Sequence, residues 1–62
     1  MSDYYKTAAE RYRAAAPEIR QASREHWTRA HAENMKNGNE DQVIFSALIL
    51  AAYDAADAAK EA

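Results

Sequence analysis

Sixty-two residues with a net charge of −2 and no cysteine leave no room for disulfide staples or a Cys-rich zinc site. A chain this short buries only about 60% of the surface its unfolded form exposes, so its stability has to come from close helix packing or from association with another chain. Sixteen alanines beside one glycine and one proline select an all-α fold, because alanine costs a helix least and the breakers are almost absent.

One helical domain is expected over residues 1–62. The start, "MSDYYKTAAERYR", is polar and charged and lacks the apolar run of a secretory signal, so the expected location is the cytoplasm. Ser2 or Asp3 supplies a helix start signal. Tyr5, Ala8, Tyr12, Ala15, Ile19, Ala22, His26 and Ala30 then follow in steps of three and four straight through Pro17. That unbroken phase predicts one long helix over about 3–36, kinked at the proline; two nearly collinear segments, with Pro17 at the first position of the second, are the alternative.

The strongest punctuation is "KNGNEDQ". Gly38 suits the left-handed residue that ends a helix, and Lys36 favours the negative end of the dipole. Asn39 with Gln42 three residues on makes a capping-box pattern, with Glu40 and Asp41 in the first turn. A turn at Asn37–Asn39 and a second helix over about 40–60 complete a helical hairpin.

Charge is divided between the two halves. Residues 1–36 carry seven Lys/Arg and five Asp/Glu, a net of +2; residues 37–62 carry one Lys and five acids, a net of −4. Opposite halves attract, as the arms of a hairpin should, and the balance argues against a chain that binds nucleic acid along its whole length.

On the long helix, Lys6, Arg13, Arg20, Arg24 and His31 fall on a narrow ribbon, with Trp27 at its edge beside the apolar strip. Lys6, Arg13, Arg20, Arg24 and Trp27 are therefore the candidate partner-binding residues, for a protein surface or, as the alternative, for a phosphate backbone with Trp27 stacking on a base.

The second helix is more apolar than one face requires: ten of the eleven residues from Val43 to Tyr53 are apolar. Ile44, Leu48, Ala51, Ala55 and Ala58 form one stripe, expected to pack inside the hairpin. Phe45, Ile49, Ala52, Tyr53 and Ala56 form a second, about 120° away. Phe45, Ile49, Ala52 and Tyr53 are accordingly the candidate dimer interface, which would pair two hairpins into a four-helix bundle. A first helix that bends at Pro17 and wraps over both stripes as a three-helix bundle is the competing arrangement.

No residue set points to an enzyme, a cofactor or a metal. His26 and His31 are five apart and diverge around the helix, His26 is expected in a core or interface, and Asp54 and Asp57 read as solvent-facing charges. The expected function is a non-enzymatic protein-interaction or regulatory module acting as a homodimer on a protein partner, with no membrane involvement. Bacterial, phage or plasmid accessory proteins are often of this size and composition.

Overall fold

A computed structural model describes residues 2–61, with side chains described for residues 3–59. The chain is a helical bundle of three helices, α1 (Ser2–Ala14), α2 (Pro17–Asn37) and α3 (Glu40–Glu61). The side chain of Ser2, one of the two expected start signals, lies outside the described residues, and Asp3 sits in the first turn of α1.

Pro17 separates two helices instead of kinking one. Ala16 is extended, with φ −64° and ψ 153°, the conformation that a following proline favours, and Pro17 becomes the first residue of α2. The Ala16 carbonyl accepts from the N–H groups of Ile19 and Arg20, each at 3.0 Å, and the Arg20 guanidinium donates to the Ala15 carbonyl at the end of α1. Two free carbonyls at the break are thus occupied from α2.

The extended residue turns the chain back, and the helical phase is lost with it. Ile19 is 57% exposed, and Ala22 and His26 also face solvent, so of the expected apolar strip only Ala30 turns inward within α2. In α2 the residues turned inward are Arg20, Ser23, Arg24, Trp27, Ala30, His31 and Asn34, none of them fully buried.

The second turn follows the sequence closely. Gly38 takes φ 70°, its N–H bonds to the Met35 carbonyl at 3.2 Å, and the Asn39 N–H reaches back to Asn34 at 3.1 Å, the paired bonds of a Schellman cap. Asn39 also starts α3, its side-chain oxygen accepting from the Gln42 N–H at a long 3.5 Å. Only half of the expected capping box forms, because the Asn39 N–H that Gln42 would satisfy is already bonded to Asn34.

α1 runs parallel to α3 and α2 runs antiparallel to it. At one end Tyr4 and Tyr5 meet Phe45, with ring centroids 5.4 and 6.0 Å away; at the other, Tyr12 stacks on Tyr53 at 4.2 Å. Arg24, early in α2, reaches Asp54 and Asp57 late in α3, while Asn34 donates to the Gln42 carbonyl. The core is Tyr12, Ile49, Tyr53 and Ala56, packed against Tyr5, Ala8, Ala9, Trp27 and Phe45. On α1 the positions 5, 8, 9 and 12 have the spacing of one helix face, so α1 is the element that seals α3.

This reverses the expected use of the two stripes of α3. Phe45, Ile49, Ala52 and Tyr53, the candidate dimer interface, are covered within the chain: Ile49 is 1% and Tyr53 8% exposed, and Phe45 and Ala52 are half-buried. Ile44, Leu48, Ala51, Ala55 and Ala58, expected inside the hairpin, face solvent. The cause is the folded-back α1, which occupies the side that a collinear helix would have left open.

Candidate functional site

Three features stand out on this scaffold. The first is a clamp that draws one side chain from each of α1 and α2 onto α3. The Tyr12 hydroxyl donates to Asp57 Oδ2 at 2.9 Å and accepts from Arg24 Nε at 3.2 Å, and Arg24 Nη2 donates to Asp57 at 3.0 Å and to Asp54. Asp57 is held below the usual carboxylate range, first by the Tyr12 hydroxyl and then by Arg24, and Arg24 is pushed up by its bond to Asp54 first, then by Tyr12 and Asp57. Burial pushes the Tyr53 phenol up.

The second is a sealed polar knot between α2 and α3. Ser46 is fully buried, its hydroxyl 2.8 Å from the Gln42 carbonyl, to which it donates, and 2.8 Å from His31 Nδ1; Asn34 reaches the same Gln42 carbonyl at 3.2 Å. The Ser46 hydroxyl also lies 3.1 Å from the Val43 carbonyl, and the direction of its bond with His31 Nδ1 is set by the imidazole tautomer. The pair joins two helices and has no opening to solvent at Ser46.

The third is a groove of about 510 Å³ along the seam between α1 and α2, which touch each other little compared with their contacts to α3. Core residues Ile49 and Tyr53 form its floor, Tyr4, Thr7, Ala8 and Trp27 its walls, and Asp3 and Arg11 supply its charges. Trp27 is half-buried and packs edge-on against Phe45 with centroids 5.6 Å apart, which fixes it as a wall.

The candidate basic residues do not share one surface. Lys6 and Arg13 border a groove between α1 and α3, beside Ala52, Ala55 and Ala59. Arg24 is engaged by Asp54 and Asp57, and Arg20 is bonded across the chain reversal to Ala15. His26, placed by spacing in a core or interface, is exposed and meets the edge of Trp27. Asp54 is solvent-facing as expected, but Asp57 is half-buried in the clamp.

Sequence reasoning passed over the groove and the clamp. The 4, 8, 11 spacing of Tyr4, Ala8 and Arg11 was a weak signal for the groove, and the opposite charge of the two halves was the trace of the Arg24 pairing.

The apolar character of α3 also extends beyond Val43–Tyr53. Glu40–Ala59 is long and apolar enough to cross a membrane by length and composition, with a mean hydropathy of 1.3, and 22% of that window is buried. Among the described residues no three of His, Asp and Glu come together as metal ligands. No protein-family model, curated protein or solved structure matches this chain.

Proposed function

We propose that this chain is a non-enzymatic protein-interaction module of the cytoplasm, working as a homodimer and engaging a polypeptide partner in the groove between α1 and α2. The observation that carries the reading is a groove whose floor is core and whose walls are aromatic, with a carboxylate and a guanidinium at its margin. A groove of this kind takes an apolar side chain of a partner and orients it by the two charges. The fit is to an amphipathic helix, which would lie along the seam as a further helix of the bundle.

A nucleic-acid reading has less to draw on, since of the four basic candidates Arg20 and Arg24 are bonded within the chain and Lys6 and Arg13 alternate with Glu10 on α1. The test is affinity capture from the cell that makes the protein, using wild type, Thr7→Trp and Arg11→Glu. Thr7 is exposed, so a tryptophan there fills the groove without entering the core. A polypeptide retained by wild type and lost with both variants supports the reading; an unchanged set of captured polypeptides contradicts it.

A further inference from the structure

The outer ridge of α3 is unpartnered. Ile44, Leu48, Ala51, Ala55 and Ala58 follow one another in steps of four, three, four and three, the seam spacing of paired helices, and all five face solvent. Ile44 is 58% and Leu48 44% exposed. From Gln42 to Tyr53 there is no charged residue on any side of the helix.

We infer that this ridge is the contact between two copies of the chain, with α3 packed antiparallel on the α3 of a second copy about a two-fold axis at Ala51. The inference deepens the pairing part of the proposed function and rests on it.

Two observations set the occupant and its direction. Size comes first: the large residues lie at one end of the ridge and the alanines at the other. Antiparallel pairing about Ala51 seats Ile44 over Ala58 of the second copy and Leu48 beside Ala55, so each large side chain meets a small one and the helices approach closely. Parallel pairing would set Ile44 on Ile44 and leave Ala58 facing Ala58 across a gap.

The composition of the ridge disfavours a lipid bilayer as its occupant. Membrane-surface helices present Trp, Phe and Leu flanked by Lys and Arg, while this ridge is mostly alanine, flanked by Glu40, Asp41 and Asp54. Alanine adds little on entering lipid but allows two backbones to come together.

A single helix pair covers less than the roughly 800 Å² a side of a standard interface, so the dimer should be concentration-dependent, with a Kd on the order of micromolar. The chain has no cysteine, and that makes crosslinking clean. The test combines sedimentation of wild type and Leu48→Asp with oxidation of Ala51→Cys, of Ala58→Cys, and of an equal mixture of Ile44→Cys and Ala58→Cys. Wild type should dimerise, Leu48→Asp should weaken the dimer by about tenfold or more, Ala51→Cys should crosslink to itself, and Ala58→Cys should crosslink only when mixed with Ile44→Cys.

Helical circular dichroism is recorded on every variant, and the crosslinks report independently if Leu48→Asp fails to fold. A dimer that keeps its affinity in folded Leu48→Asp, or that crosslinks through Ala58→Cys alone, overturns this interface and leaves the homodimer standing. A wild type that stays monomeric throughout the micromolar range overturns both. So does a monomer that binds vesicles of equal phosphatidylcholine and phosphatidylglycerol through Leu48.

Discussion

The Tyr12 hydroxyl lies 2.9 Å from Asp57, forty-five positions along the chain, while the Tyr12 ring stacks on Tyr53 one turn earlier in α3. One side chain thus joins the aromatic core to the charged clamp. Tyr12→Phe keeps the stacking and removes the bond. It should cost about 1 kcal/mol in urea denaturation, the range of one hydrogen bond, and raise the Asp57 pKa toward its ordinary value in an NMR titration. An unchanged Asp57 titration would show that the arginines Arg24 and Arg20 set it without the tyrosine.

Acidification should act through the same group. Asp57 is depressed in the folded state, so its contribution to stability is fully present above the ordinary aspartate pKa and is lost as pH falls from there through the folded value. Thermal melts followed by circular dichroism should therefore drop on the acid side of the normal carboxylate range. Asp57→Asn should flatten that part of the profile; an identical profile would assign the loss to other carboxylates.

Gly38 is held at φ 70° with open space where a side chain would stand. Gly38→Ala should cost about 1 kcal/mol from backbone conformation alone, without a clash. Asn at this position should recover part of it, because asparagine tolerates the left-handed region. Equal stability of all three would mean that the Schellman turn does not persist in solution.

Ser46→Ala removes the hydroxyl that links His31 to the α3 backbone. A loss of about 1 kcal/mol is expected, since the fully buried hydroxyl is removed together with its bonds to His31 and the Gln42 carbonyl. Hydrogen exchange should quicken in the last turns of α2 and the first of α3. Uniform exchange with unchanged stability would contradict the role of the knot.

The turn at Gly38 was legible because its signals are local: a glycine, an N-cap and acids within a few residues. Pro17 was legible as a break or a kink, and no more. Which one occurs depends on whether α1 gains more by lying on α3 than by continuing the helix, and that energy resides in contacts such as Tyr12 with Tyr53, far apart in sequence. Both apolar stripes of α3 could be read from spacing. Their sides could not, because Phe45 and Ile44 differ in burial only through where α1 returns. The clamp was hidden for the same reason: Asp57 next to Asp54 reads as an exposed pair until Tyr12 and Arg24 arrive from the other two helices.

Leu48 and Ile49 are adjacent, equally apolar and placed on opposite sides of the central claim that one chain closes its own core with the Ile49 stripe and leaves the Leu48 stripe outward. Leu48→Asp and Ile49→Asp should therefore be unfolded side by side, by circular dichroism at low micromolar concentration. Leu48→Asp should keep its helix content and a cooperative transition, whereas Ile49→Asp, with a charge at a site 1% exposed, should lose both. The reverse result, a folded Ile49→Asp beside an unfolded Leu48→Asp, would contradict the account.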